Sequence, residues 1–324
     1  MPKAIRLHSY GGPENLRWED VTVGEPGPGE ARLRHTAIGL NFTDTYARRG
    51  LSTINPPLPL TIGMEGAGIV EAVGAGVTDM KPGQRVCYAD RPLGSYAEAR
   101  LVPTRMLIPL PDDIDDRLAA ALILKGLTAQ CLLRSVYRVK PGDFVLVHAA
   151  AGGMGLILCQ WARHLGATVI GTVSTDEKAA LAHANGCHHA VVTSRENFVD
   201  RVRAIAGEGV HVVYESIGKD TFARSLESLR PLGLCSSYGW ASGPNPPFDP
   251  AVLGPKSLTL TYTRFSVYNR DRTTMLANAR EVFDVVRSGG VKVEIRRAYP
   301  LRDAAIAHRD LESRQTVGSN ILLP

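Results

Sequence analysis

The chain has 324 residues, 44% of them hydrophobic and 21% charged, with a formal net charge of +5. That length suggests two domains with sizeable cores, and the composition excludes a disordered or low-complexity protein. The basic balance comes without a dense Lys/Arg run, so nucleic-acid binding is not expected.

Residues 1 to about 120 read as a β-rich unit. Lys3–His8, Leu16–Val23, Ala31–Ile38, Ile69–Val73, Arg85–Ala89 and Tyr96–Val102 are short and strand-like. Turns such as Gly11-Gly12-Pro13 and Pro26-Gly27-Pro28-Gly29 separate several of them. Many short strands with such punctuation predict a barrel-like or sandwich domain. Asp115–Val136 then reads as a helix.

From Pro141 strands and helices alternate. Strand Phe144–His148 leads to helix Met154–Leu165, stopped by Gly166. Strand Thr168–Val173 leads to helix Thr175–Asn185, with Ser174 and Glu177 as its capping box. Strand Ala190–Thr193 leads to a helix over Arg195–Ala206, with Ser194 as candidate N-cap. Strand His211–Glu215 leads to helix Asp220–Leu229, and strands Leu234–Tyr238 and Leu258–Thr263 follow. This spacing predicts an α/β doubly wound parallel sheet with right-handed crossovers. Helix Thr273–Arg287, strand Val291–Tyr299, helix Asp303–Glu312 and strand Asn320–Leu323 are expected to return to the first domain.

The densest signal is Gly142-Asp143-Phe144-Val145-Leu146-Val147-His148-Ala149-Ala150-Ala151-Gly152-Gly153-Met154-Gly155. An apolar strand runs into small residues and glycines, then into a helix. Bare backbone N–H groups and a helix N-terminus meet there, which suits the pyrophosphate of a dinucleotide. At the end of the second strand of this half, Ser174 stands where an NAD-binding acid would be expected, and Lys178 follows. Both can donate to a 2′-phosphate, so the cofactor is read as NADPH. Asp176 and Glu177 lie close by.

Cys87, Cys131, Cys159, Cys187 and Cys235 are scattered without CxxC or ligand spacing. An odd number argues against a disulfide framework and for reduced thiols in a cytoplasmic protein. His188-His189 is an adjacent pair whose side chains would diverge on a strand, so no metal site is expected. No apolar run of about 18 residues is present and Met1–Arg6 lacks a signal-peptide core, so neither membrane span nor export is expected.

Several motifs together resemble the zinc-independent, zeta-crystallin-like quinone oxidoreductases of the medium-chain dehydrogenase/reductase superfamily. They are the Gly142 to Gly155 stretch with Gln160 and Arg163, and Gly63-Met64-Glu65-Gly66-Ala67-Gly68 through Lys81-Pro82-Gly83-Gln84-Arg85-Val86. Asn41-Phe42-Thr43-Asp44-Thr45-Tyr46, Lys125-Gly126-Leu127-Thr128, and Leu311-Glu312-Ser313-Arg314 to Gly318-Ser319 complete them. The resemblance implies a GroES-like catalytic domain over residues 1–123, a Rossmann domain over 124–267 and a return to the catalytic domain over 268–324. It also implies a cleft between them that binds cofactor and acceptor, and a homodimer, expected to pair near Leu258–Thr263. Zinc relatives carry Cys and His where this chain has Asn41 and Met64.

The resemblance assigns Ala151, Gly152, Gly153, Met154, Gly155, Ser174 and Lys178 to the cofactor. It adds Ile217, Gly218, Tyr238, Gly239, Phe265 and Arg314, although apolar packing would also explain the aromatics. Ser194 replaces the family's usual tyrosine and is either a phosphate contact or a helix cap; Arg195 beside it is either a phosphate contact or a solvated residue of the helix's first turn. Asn41 and Tyr46 match the acceptor pocket, or are a turn asparagine and a packed tyrosine. Asp44 orients neighbours or caps a helix. Lys125 and Thr128 match positions near nicotinamide and ribose, with a solvated helix end as the alternative for Lys125. Ser52 replaces an aromatic, which would open the pocket rim, and Trp240 either replaces that surface or simply packs.

A quinone is conjugated and accepts hydride with less help than a ketone, so NADPH-dependent quinone reduction is the expected activity. Two alternatives are reduction of activated C=C bonds in 2-alkenals or enones, which needs a proton donor, with Tyr46 as the one candidate, and an NADPH-binding protein with an RNA-binding or structural role.

Overall fold

Alternating apolar and polar side chains make the N-terminal part a set of paired strands, and glycine or proline ends most of them. The structure is a computed structural model that describes residues 1–51, 56–313 and 316–324. In chain order the first elements are β1 (Lys3–Leu7), β2 (Leu16–Asp20), β3 (Glu30–Leu40), α1 (Phe42–Arg48), β4 (Leu60–Thr61), β5 (Glu65–Val73), β6 (Arg85–Ala89), β7 (Ala99–Pro103), β8 (Ile108–Pro109) and α2 (Asp116–Gln130). Then come β9 (Phe144–Val147), α3 (Gly153–His164), β10 (Thr168–Val173), α4 (Asp176–Ala184), β11 (His189–Val192), α5 (Phe198–Ala206), β12 (Val210–Glu215), α6 (Phe222–Glu227), β13 (Leu229–Ser237) and β14 (Thr259–Tyr262). The chain ends with α7 (Phe265–Tyr268), α8 (Arg272–Arg287), β15 (Ile295–Pro300), α9 (Ala304–Glu312) and β16 (Ser319–Leu323).

The chain forms two compact units. The first holds Met1–Gly126, Asp271–Ala279 and Val293–Pro324. Its larger sheet runs β15-β16-β3-β5-β6-β8, with β7 also on β3, and β2-β1-β4 form a small antiparallel sheet. Ala31, Leu33, Val70, Val86, Tyr88 and Val102 fill one core. Ile5, Leu7, Ile38, Leu40, Tyr96 and Leu322 fill another, under Leu301 and Ala304 near α9. This is the β-rich half of an α/β fold.

The second unit holds Leu127–Arg270 and Arg280–Lys292. Its six strands are ordered β11-β10-β9-β12-β13-β14 and every pairing is parallel. Leu146, Ile170, Val191, Phe198, Val213, Phe222 and Cys235 pack together in its core. Near-continuous apolar strands are what a parallel sheet covered on both faces requires. This is the doubly wound, Rossmann-type half.

Local details depart from expectation. Helix α5 starts at Phe198, not Arg195, because Asn197 caps it by accepting from Val199 N–H at 3.0 Å; Ser194 is therefore not its cap. On α4 the cap is Thr175, which accepts from Lys178 N–H at 3.3 Å, instead of the predicted Ser174 box. Helix α1 went unread between two strands. Helix α2 widens into a π-helical turn over Cys131–Val136. The whole stretch Asp116–Val136 is long and apolar enough to cross a membrane by length and composition, although no unbroken apolar run was visible in it. Over its apolar 18-residue window the mean hydropathy is 1.3, and 78% of that window is buried within the protein, as befits a core helix.

Candidate active site

In the second unit β9 ends at Val147 and the chain turns through Ala149, held at φ 51°. Ala151 is buried, Gly153 and Met154 are half-buried, and Gly152 is the N-cap of α3 with no capping side chain. The first N–H groups of this 12-residue helix therefore face the turn without a side-chain acceptor. A Cβ on Gly155 would lie 2.2 Å from Ala149 O and 2.7 Å from Ala150 Cα. Only glycine lets α3 pack this close to the strand end, so the turn fits a pyrophosphate.

Ser174 is exposed just beyond β10. Lys178 Nζ donates to its Oγ at 3.2 Å, and Ser194 Oγ donates to its carbonyl at 3.4 Å. Arg195 grips Asp176 through two hydrogen bonds of 2.6 and 2.7 Å, which hold the Asp176 carboxyl below its usual range. Asp176, close in sequence to Ser174 and Lys178, is thus paired with a guanidinium.

The loop after β12 carries Ile217 and Gly218 and is fastened from below. Glu215 accepts from Ile217 N–H at 2.7 Å, Gly218 N–H at 3.0 Å and Thr221 Oγ at 2.9 Å, and also from Ser225 Oγ. Ser225 spends its proton on Glu215, so it accepts from His148 Nε2 at 2.8 Å, and His148 Nδ1 accepts from Thr172 Oγ at 2.8 Å. Burial favours the neutral imidazole; it opposes the Glu215 carboxylate too, but there the hydrogen bonds from Ser225, Gly218 and Ile217 prevail and hold the acid below its usual range. This network ties together the ends of β9, β10 and β12. Sequence reasoning missed it, and only the acid closing β12 hinted at it.

Beside this loop, Gly218 adopts φ +88°, and a Cβ there would lie 2.2 Å from Gly243 O. Tyr238 N–H donates to Glu215 O at 2.9 Å. The ring of Tyr238 is half-buried, and burial pushes its hydroxyl pKa up. Gly239 packs over Ser216, where a Cβ would meet its carbonyl at 3.0 Å. Trp240 packs on Tyr262 with ring centroids 6.2 Å apart, and its indole N–H donates to that hydroxyl. Phe265 is half-buried at the start of α7. Arg314 and Ser52 lie outside the described residues.

In the first unit Asn41 caps α1. Its backbone N–H donates to Asp44 Oδ2 at 2.9 Å, and its side-chain Nδ2 donates to Glu65 Oε2 at 2.6 Å. Glu65 Oε1 accepts from Leu124 N–H at 2.7 Å. Lys125 Nζ is 3.6 Å from Glu65 Oε2. Lys125 is only 8% exposed and mid-helix, so it is not a solvated helix end. Thr128 follows one turn along α2 and is half-buried. Tyr46 is half-buried with its ring edge-on to Phe42 at 5.7 Å. Asn41, Asp44, Glu65 and Lys125 therefore converge, and Glu65 was quoted in a motif without being assigned a role.

Asp44 is fully buried, and desolvation raises its pKa to about 7. Its Oδ2 also accepts from Tyr96 OH at 3.1 Å. Behind it runs a directed chain. Arg48 can only donate, so His308 Nδ1 accepts from it at 3.0 Å. The His308 proton is therefore on Nε2, which meets Tyr96 OH at 3.0 Å. Arg48 also forks onto Glu312 at 2.8 and 2.9 Å.

Among the described residues no group of three or more His, Cys, Asp or Glu is arranged to hold a metal. Where zinc relatives have ligands, the Asn41 amide is engaged by Glu65 and Met64 Sδ accepts from Thr43 Oγ at 3.8 Å. An amide and a thioether are not zinc's usual ligands.

The profile of the alcohol dehydrogenase GroES-like domain matches residues 27–112, and that of the zinc-binding dehydrogenases matches 153–281. The 2-haloacrylate reductase of a Burkholderia species is 50% identical over 100% of this chain and 99% of that protein. The quinone oxidoreductase of Pseudomonas aeruginosa is 47% identical, with 100% of each chain covered. Among solved structures, Escherichia coli quinone oxidoreductase complexed with NADPH superposes with a TM-score of 0.97 at 42% identity, covering 99% of this chain and 100% of that one.

Proposed function

We propose that this chain, which belongs to the quinone oxidoreductase family of the medium-chain dehydrogenase/reductase superfamily, reduces quinones with NADPH and without a metal ion. The observation that carries this reading is the set of donors at Asn41, an amide and an ammonium around Glu65. Such groups suit an acceptor whose negative charge spreads by conjugation. A simple ketone would want a Lewis acid there.

NADPH supplies the hydride when bound. The protein's part is to bind, orient and exclude water. The turn through Ala151 and Gly152 and the first N–H groups of α3, at Gly153, Met154 and Gly155, would hold the pyrophosphate. Ser174, Lys178 and Ser194 would hold the 2′-phosphate, with Arg195 beside them. Ile217, Gly218, Tyr238, Gly239 and Phe265 would line the rest. Asn41 and Tyr46 would donate to the acceptor oxygen, with Lys125 and Thr128 nearby, while Asp44 fixes the start of α1. A homodimer paired along β14, the sheet's edge strand, belongs to the same reading, and light scattering on a sizing column tests it.

A second reading is favoured by the 50% identity to a 2-haloacrylate reductase. There hydride would go to an activated C=C bond, and the Lys125 ammonium would face the substrate's carboxylate. Initial rates with benzoquinone, phenanthrenequinone, 2-chloroacrylate and a 2-alkenal, each with NADPH and NADH, decide between them. Quinone turnover preferring NADPH supports the main reading. Turnover of chloroacrylate or alkenal without quinone moves the assignment to C=C reduction.

A further inference from the structure

The Lys125 ammonium is buried, and among the described residues it finds no hydrogen-bond partner. Its ion-pair partner Glu65 stays at 3.6 Å, with both carboxylate oxygens already accepting from Leu124 N–H and Asn41 Nδ2. Glu65 therefore balances the charge of Lys125 without taking up its three N–H donors. Buried donors left open in this way call for an acceptor oxygen from outside the chain.

The arrangement is built into the strand packing. A Cβ on Gly39 would lie 2.0 Å from Glu65 Oε2 and 2.5 Å from Ala120 O. Strand β3 is bare at this point so that the carboxylate fits against α2. Asp44, on the other side of Asn41, has one carboxyl oxygen without a partner.

We propose that Lys125 is the proton donor that completes reduction of the acceptor, with Glu65 as its positioning residue. This rests on the hydride-transfer reading above. An acceptor that has taken up a hydride, two electrons and one hydrogen, would carry negative charge on its oxygen beside Lys125. A Lys125 N–H bond then breaks as an O–H bond forms on that oxygen. Solvent returns a proton to the amine. The sum is NADPH, quinone and one proton giving NADP⁺ and hydroquinone.

The test uses Lys125→Met and Lys125→Arg in the full chain, with two acceptors. Trimethylbenzoquinone gives a strongly basic reduced anion, and chlorobenzoquinone a weakly basic one. General acid catalysis is worth roughly 10² to 10⁴-fold, so Lys125→Met should lower kcat on trimethylbenzoquinone about 100-fold or more. On chlorobenzoquinone the loss should stay under about tenfold, because a less basic anion needs less help from an acid. Arginine keeps the charge but does not release a proton, so Lys125→Arg should show the same split.

A second readout needs no turnover. Bound 4-nitrophenol should be drawn toward its phenolate by the wild type and by Lys125→Arg, and toward the phenol by Lys125→Met. Equal losses on both quinones, or the same ionisation of 4-nitrophenol in all three proteins, would overturn the proposal. If Lys125→Met does not fold, Lys125→Arg carries the kinetic test. A wild type that reduces neither quinone would overturn the reading on which the proposal rests, and the proposal with it. Equal losses in an active enzyme overturn the proton-donor assignment alone.

Discussion

Replacing His308 with Gln should make the protein less sensitive to acid while leaving it sound at neutral pH. The imidazole is completely buried, and burial, aided by the Arg48 charge, lowers its pKa from 6.5 to about 3. In the unfolded chain it takes up a proton below pH 6.5, and in the folded chain it does not. Its contribution is therefore fully present above pH 6.5 and is lost as pH falls toward 3. At pH 5 the difference is about 1.5 pH units, or roughly 2 kcal/mol at 1.36 kcal/mol per unit. Glutamine can accept from Arg48 through Oε1 and donate to Tyr96 through Nε2, as the neutral imidazole does, and it cannot titrate. His35, also held near 3 by burial, keeps its share of the acid loss in both proteins. Asp44, raised to about 7, contributes in the opposite sense, losing stability as pH rises from about 4 to 7, and is likewise common to both. Urea denaturation at pH 7.5 and pH 5 measures the effect. The variant should lose about 2 kcal/mol less than the wild type between those values. Equal losses would refute the assignment of a neutral, Nε2-protonated His308.

Three further outcomes follow from the same geometry. Gly155→Ala drives a Cβ into backbone at 2.2 Å, so α3 must move. Thermal unfolding should show a loss of roughly 1–3 kcal/mol, and fluorescence titration a weaker NADPH complex. Lys178→Glu should lower kcat/KM for NADPH tenfold or more, since a charge-assisted hydrogen bond is worth about 1.5–3 kcal/mol; the value for NADH should change little, and unchanged KM for NADPH would contradict the 2′-phosphate assignment. Arg48→Met leaves Glu312 without its partner and His308 Nδ1 without a donor. Denaturation should register a loss of about 3–5 kcal/mol, and a loss under about 1 kcal/mol would show the chain through Tyr96 to be dispensable.

Much of the fold was legible because it rests on local signals. Strand β9 and the turn into α3 are set by an apolar run followed by glycines within a few residues. The start of α5 was misplaced because Ser194 offers a capping hydroxyl, yet it is Phe198 that must enter the core, and Asn197 is the residue that precedes it. Helix α1 was hidden by its seven residues and by its position between two strands. The side chains around Asn41 were less legible for a different reason. Glu65 lies 24 residues from Asn41, and His308 lies 260 residues from Arg48. Nothing in the local pattern says that these groups meet. The need for a bare Gly39 beside Glu65 is likewise visible only once strand and helix are packed.

The most direct test of the central claim is single-turnover oxidation of NADPH by benzoquinone, comparing cofactor with hydrogen and with deuterium at the transferring position of nicotinamide C4. Hydride transfer between cofactor and quinone on this chain predicts that deuterium slows the observed step several-fold. It also predicts that NADPH, at equal concentration, reacts well ahead of NADH. A rate indifferent both to the isotope and to the 2′-phosphate would contradict the account.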